Sequence, residues 1–339
     1  MRLRAFTARR IATAAAYGGG GVTAVGGLTF GLIVAEALMA KKLIMATPSG
    51  GPPAADGLYG GGLPGEPLSF AVLGDSTAAG LGVHSPEETP AALLAAGLSS
   101  IAGRPVRLTN VARSGARSAV LAGQVTRALA VRPEIAVIMI GANDVTGRVP
   151  PAESVRHLAA ATERLRATGC EVVVGTCPDL GSVRQLMQPL RWFARRLSRQ
   201  LAAAQTIVTV EQGARSVSLG DLLGREFAAD PREMFSADRY HPSARGYAAA
   251  AAAVLPSMAA ALGLEPDDVL PGPRHGQGVL PVYLAAAEAA EEPGTEVAGA
   301  RVAGRERGPR GRWATLLRRR EVDPAAPGGG SEAIAPGAA

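Results

Sequence analysis

Ser76 follows the apolar run Leu68–Gly74 with only Asp75 between them, and the small residues Thr77, Ala78, Ala79 and Gly80 come straight after it. A buried strand of an α/β sheet reads like this run, and the C-terminal end of such a strand is where these sheets place their ligands. The Ser76 hydroxyl is then expected on the open edge of the sheet, with room beside it and helix-start N–H groups to hold an anion. A serine that cleaves an acyl bond needs a base within hydrogen-bond reach, an acid to fix that base's tautomer, and donors aimed at the oxyanion. The chain has four histidines, so the base can be sought one by one. His275 falls in a tail rich in Pro and Gly, and His157 sits inside a helical pattern with no acid arranged around it. His84 is near Ser76 in sequence and could touch substrate, but it lacks an orienting acid. His241 has Asp238 three residues before it, just ahead of a closing helix. Ser76, His241 and Asp238 are therefore the candidate catalytic set. Each also has a plainer reading: Ser76 as the N-cap of a strand-to-helix turn, Asp238 and His241 as groups that satisfy a helix start.

The elements needed to position these residues can be read in order. Val106–Val111 is a short strand-like run that leads into Asn110-Val111-Ala112-Arg113-Ser114-Gly115. Ile135–Ile140 is unbroken and apolar and ends in Gly141-Ala142-Asn143-Asp144, and Glu171–Gly175 ends in Thr176-Cys177-Pro178-Asp179. Ile207–Val210 is expected to be the fifth strand. Helical spacing is expected over Pro86–Ser100, Ala116–Ala130, Ala152–Thr168, an arginine-rich Gln185–Ala204 and an alanine-rich Ser243–Leu262. Strands alternating with helices predict a three-layer α/β/α fold with a parallel five-stranded sheet.

Composition sets the boundaries. Residues 67–263 are the right size for one α/β domain with a large core. Residues 47–66 are dense in Gly and Pro and read as a linker, and residues 264–339 lose periodicity and read as a disordered tail. Within that tail, eight arginines face a single glutamate between Arg301 and Arg320, with Trp313, Leu316 and Leu317 interleaved; a solvated charge run is the expected reading. Residues 1–46 carry Arg2, Arg4, Arg9 and Arg10, then an uncharged stretch from Ile11 to Ala35, with Lys41-Lys42 beyond it. That stretch can span a bilayer, and Ala37–Ala40 makes a poor signal-peptidase site, so an uncleaved membrane anchor is expected. The arginine excess before the span places the catalytic domain outside the cytoplasm, with a secreted or cytoplasmic protein as the alternative. The net charge is +6, yet of 35 basic residues only Lys41 and Lys42 are lysines, a bias of composition more than of function. No nucleic-acid signature accompanies it, so nucleic acid is not an expected partner. No protein partner is predicted. Two cysteines, Cys170 and Cys177, bracket one strand and are too far apart along it to bond.

Gly74-Asp75-Ser76 at a strand end, Gly115 after the second strand, Gly141-Ala142-Asn143-Asp144 after the third, and Asp238-x-x-His241 near the end of the domain resemble the SGNH, or GDSL-type, hydrolases. All four blocks occur in the family order over about residues 67–262. The resemblance implies a flavodoxin-like sheet and hydrolysis of carboxylic esters, esterase- or lipase-like, with no metal or other cofactor. It implies Ser76 as nucleophile, His241 as base and then acid, and Asp238 as its orienting acid. The oxyanion hole is implied to be the N–H of Ser76, the N–H of Gly115 and the side-chain amide of Asn143. Two alternatives stay open: a deacetylase of envelope carbohydrate using the same site, and a catalytically lapsed binding or scaffold protein. The substrate is then a small-molecule, lipid or carbohydrate ester. The α/β-hydrolase scaffold is excluded because G-x-S-x-G is absent, and a dinucleotide site because no G-x-G-x-x-G opens a helix after the first strand.

Overall fold

The structure, a computed structural model, describes residues 50–183, 185–219, 227, 229–264, 278–292, 294–302, 305–306 and 313–317. The uncharged stretch Ile11–Ala35 lies outside them, and among the described residues no helix is long and apolar enough to cross a membrane.

The sheet is built on β1 (Gly57–Tyr59), β2 (Leu68–Gly74), β3 (Val106–Asn110), β4 (Ile135–Met139), β5 (Glu171–Gly175) and β6 (Arg215–Val217). Strands β3, β2, β4, β5 and β6 lie side by side and parallel, and β1 closes the β3 edge in antiparallel fashion. Helices are α1 (Ser76–Ala79), α2 (Pro90–Ala102), α3 (Leu121–Leu129), α4 (Ala142–Thr146), α5 (Pro151–Arg166), α6 (Leu190–Glu211), α7 (Pro231–Met234), α8 (Ala244–Ala261) and α9 (Val282–Glu291).

Both faces of the parallel strands are covered, which is why β4 reads as an unbroken apolar run and is buried at every position. Successive side chains point to opposite faces. Phe70, Val72, Val137 and Val173 therefore pack on Leu94 and Leu98 of α2 and Val254 and Met258 of α8. Leu73, Ala136, Ile138 and Val174 pack on Val125 of α3 and Leu158 and Leu165 of α5. The three-layer α/β/α expectation holds, and Cys170 and Cys177 are both buried and free.

Three expectations differ from the structure. Residues 47–66, expected to be a linker, contain β1, which gains its hydrogen bonds from the edge of β3. Ile207–Val210 is not the fifth strand but the last turns of α6, where Thr206, Thr209 and Val210 are buried at helical spacing. Packing overrides the β-branched composition there. Gly213, at a φ of +71°, turns the chain into the actual fifth parallel strand, β6.

The stretch after Glu265, expected to be structureless, also contains ordered elements. In it, β7 (Gly278–Pro281), β8 (Glu296–Gly299) and β11 (Trp313–Leu317) continue the sheet in the order β6-β8-β11-β7, so among the described residues it has nine strands. The strands β9 (Arg301–Val302) and β10 (Arg305–Glu306) pair with each other. All the added pairings are antiparallel. The physical reason is the open side of β6, a ready template for another strand. Val282, Ala285, Ala289, Val297, Ala314 and Leu316 join Val210 of α6 in a small core of their own. Glu296 is buried there, taking the Arg215 guanidinium on one oxygen and the Ser257 hydroxyl on the other.

Candidate active site

Ser76, Gly115 and Asn143 leave the same edge of the sheet, because they follow the parallel strands β2, β3 and β4. Gly74 of β2 lies opposite Met139 of β4, and Val72 opposite Asn110 of β3. The turn after β2 is tight: a Cβ on Gly74, whose φ is +140°, would come within 1.9 Å of the Met139 carbonyl oxygen. Asp75, not Ser76, caps α1, its carboxylate accepting from the Thr77 N–H at 3.0 Å. The Ser76 hydroxyl is thus left for another partner.

That partner is His241. Its Nε2 lies 3.0 Å from Ser76 Oγ, and its Nδ1 lies 2.6 Å from Asp238 Oδ2. The three residues come from opposite ends of the domain and are all buried. The histidine loop is held by a bridge between Phe235 and Pro242 and by Arg239 at a φ of +54°. Gly82 packs beneath it, where a Cβ would meet the Pro242 carbonyl at 2.7 Å and the His241 Cβ at 3.0 Å. The Tyr247 hydroxyl donates to the Leu81 carbonyl at 2.6 Å and ties α8 to the same spot.

The two ring nitrogens of His241 face different tasks because Asp238 is fully committed. Asp238 Oδ1 accepts from the Ser236 hydroxyl at 2.7 Å and from the Tyr240 and His241 N–H groups at 2.9 Å each. Burial pushes this carboxyl up, but the His241 ring, those two N–H groups and the Ser236 hydroxyl outweigh it, so Asp238 is held well below the usual carboxylate range. It is an ionised acceptor at any pH near neutral. Asp75 behaves in the opposite way: burial raises it to about 6, against the opposing effects of the Thr77 N–H and the nearby His241.

Asn143, in the first turn of α4, and the loop carrying Gly115 are tied together by a residue that the sequence reading did not single out for a role. Asp144, buried at the start of α4, accepts from the Ser118 N–H and hydroxyl at 3.1 Å and from the Ser154 hydroxyl at 3.0 Å. The turn carrying Asn143 is thereby fixed to the loop that runs on from Gly115, which has a φ of +76°. Two buried glutamines were also missed. Gln124 brackets Gly74, accepting from its N–H and donating to its carbonyl, both at 2.8 Å. Gln205 accepts from the Cys177 N–H at 2.7 Å and donates to the Ile140 carbonyl at 2.9 Å, joining the ends of β5 and β4. A polar residue at a core-facing helical position is the signal that could have found them.

The cleft over Ser76 and His241 has an empty volume of about 400 Å³ and is walled by Ala142, Leu180, Val183, Phe235 and Tyr240. Burial pushes the Tyr240 phenol up, so it is a neutral donor. A second hollow, almost wholly apolar, shares Thr77, Pro178 and Pro242 with the cleft. Pro178, Asp179, Leu180, Ser182 and Val183 line the cleft, whereas His84 is exposed and is not among its described lining residues. Among the described residues no group of three or more His, Cys, Asp or Glu is placed to hold a metal ion.

A parallel three-layer sheet with a Ser–His–Asp set at its C-terminal edge defines a serine-hydrolase class of site. The profile of the GDSL-like Lipase/Acylhydrolase family matches residues 72–249. A GDSL-like esterase of Mycobacterium tuberculosis is 43% identical over 253 residues, 71% of this chain and 79% of the relative. This chain belongs to the GDSL-like lipase/acylhydrolase family and is a GDSL-type ester hydrolase. Among solved structures it is similar to TesA, at 26% identity and a TM-score of 0.44 over 58% of this chain and 100% of that one. It is also similar to the acetylxylan esterase Axe2 of Geobacillus stearothermophilus, at 18% identity and a TM-score of 0.44 over 59% of this chain and 96% of that one.

Proposed function

We propose that this chain cleaves carboxylic esters through an acyl-enzyme on Ser76. The observation that carries the reading is the unbroken line from Ser76 Oγ through both ring nitrogens of His241 to Asp238, at 3.0 and 2.6 Å. Ser76 Oγ attacks the carbonyl carbon as its proton passes to His241 Nε2. The imidazolium so formed is stabilised by the ionised Asp238 at Nδ1. The tetrahedral oxyanion is received by the N–H groups of Ser76 and Gly115 and by the amide of Asn143, donors that need no reorganisation during the step. Collapse breaks the ester C–O bond, and the alcohol leaves with the proton from Nε2. Water then attacks the acyl carbon, giving its proton to Nε2, and the carboxylic acid departs as Ser76 Oγ recovers its proton. No step is assigned to a metal.

Ser76→Ala should abolish hydrolysis of p-nitrophenyl esters of graded chain length and of acetylated sugars, while the protein still unfolds cooperatively. A serine-directed phosphonate should label the wild type at Ser76 alone. Full activity in Ser76→Ala would overturn the mechanism. A preference for acetylated sugars over every p-nitrophenyl ester would favour the carbohydrate deacetylase instead. The uncharged stretch Ile11–Ala35 supports anchoring of this site to a membrane, with the domain outside the cytoplasm. Full-length protein should then resist carbonate washing, and recovery at full mass in the soluble fraction would refute the anchor.

A further inference from the structure

One face of α6 exposes several large apolar side chains. Trp192 is 51% exposed, Phe193 38%, Leu197 41%, and Met187, just before the helix, 61%. Trp192 and Phe193 pack edge to face with centroids 4.8 Å apart, and the Arg196 guanidinium lies over the indole at 5.7 Å. Positions 192 and 196, and 193 and 197, are one helical turn apart, so the rings, the leucine and the cation share one flank of the first two turns. Arg191, Arg195, Arg196 and Arg199 lie on this half of α6, and the helix has no acidic residue before Glu211. Arg195 and Arg199 share one buried carboxylate, Asp179, each at 3.2 Å.

The patch is also coupled to the cleft wall. The Leu180 N–H donates to Ser198 Oγ at 3.2 Å and Arg195 donates to the Gly181 carbonyl at 3.3 Å, so the Leu180–Val183 wall is bonded to α6. The outer face of α6 therefore lies behind the wall of the cleft.

We infer that the exposed Trp192–Phe193–Leu197 face of α6, flanked by arginines, docks on an anionic lipid bilayer. Indole and phenyl rings favour the headgroup level, where their apolar bodies and polar edges are both satisfied. Guanidinium groups beside them meet lipid phosphates, and the excess positive charge is complementary to an anionic leaflet. A helix with an apolar flank, arginines on its polar side and no carboxylates lies in the interface plane. This docking is distinct from the proposed N-terminal anchor, which tethers without fixing which face meets the lipid.

The chain has two tryptophans, so full-length protein with Trp313→Phe reports on Trp192 alone. It is reconstituted with phosphatidylcholine vesicles, with and without phosphatidylglycerol, containing lipids brominated near the top of the acyl chain. Trp192 emission should blue-shift and be quenched only with phosphatidylglycerol, and high salt should reverse both effects. Arg196→Gln should weaken this docking about fivefold. Phe193→Ser with Leu197→Ser should abolish the quenching without changing turnover of a short water-soluble ester. Ser76→Ala should leave the quenching untouched, so the result stands apart from the catalytic reading. No quenching with either vesicle, or equal quenching with both, would overturn the inference. So would a blue shift that appears without lipid and grows with protein concentration, which would assign the face to a second copy of the chain.

Discussion

Replacing Asp238 by Asn should be more damaging to turnover than removing its side chain, and the reason lies in how its two oxygens are used. Oδ1 accepts three hydrogen bonds, from Ser236 Oγ, Tyr240 N–H and His241 N–H. An asparagine amide must keep its oxygen there, because the NH₂ group would face three donors. Its nitrogen is then forced into the Oδ2 position, 2.6 Å from His241 Nδ1. Nδ1 becomes an acceptor and the neutral ring carries its proton on Nε2, facing Ser76 Oγ. The base is lost without any movement of the ring. A wrong tautomer of this kind costs roughly 10³–10⁴ in kcat, about 4–5.5 kcal/mol at the transition state. In Asp238→Ala the ring is free to adopt either tautomer, so kcat should fall less steeply. The fold should suffer more, because three donors lose their acceptor, a cost of about 2–4 kcal/mol after partial rescue by water. The assay is kcat on a p-nitrophenyl ester, corrected for folded protein, alongside denaturant unfolding of both variants. The two readouts should cross, Asn being worse in rate and Ala worse in stability. An Asp238→Asn enzyme that keeps more than a tenth of wild-type kcat would refute the reasoning.

Asn143→Ala should lower kcat by roughly 10²–10³-fold with KM little changed, as expected for one oxyanion donor, and steady-state kinetics on the same ester checks it. Asp75 is raised from 3.8 to about 6 by burial, so between those values the folded state holds a proton that the unfolded state has lost. Stability gained from this group therefore rises as pH falls from above 6 towards 4, by up to about 3 kcal/mol, and Asp75→Asn should remove that slope. Asp238 cannot mask the effect, because its carboxyl is depressed and its contribution is lost only below the unfolded value. Chemical denaturation of both proteins at several pH values tests this through the difference between their curves.

Much of the site was legible because the features that build it are short and local. A buried strand covered on both faces must be a continuous apolar run, so the ends of β2 and β4 announce themselves, and the residues just past them are Ser76 and Asn143. Asp238 and His241 are three residues apart, so their pairing needs no tertiary knowledge. What joins them to Ser76 is long-range and could be read only by elimination among four histidines. The residues that hold the geometry, Gln124, Gln205 and Asp144, were not found as such, because their partners are backbone groups and hydroxyls many positions away. A glutamine in an amphipathic helix looks the same whether it faces water or brackets a strand end.

The sheet edge beyond β6 failed for a different reason. Composition averaged from Glu265 onward is poor in large apolar residues and rich in Ala, Gly and Pro, which argues that the segment cannot bury enough surface to order itself. That argument holds only for a segment folding alone. Strand β8 instead adds to an edge already paid for by the parallel sheet, gaining its hydrogen bonds through Ser216↔Val297 and Val217↔Glu296. Val282, Ala285 and Ala289 of α9, Val297 of β8, and Ala314 and Leu316 of β11 then pack with Val210 on a surface that is preformed. The buried Glu296 fits the same account: in a free tail it is one more solvating charge, and only the Arg215 and Ser257 of the folded domain make its burial tolerable. Order in this segment is therefore a property of the edge it joins, and no window of its own residues carries that information.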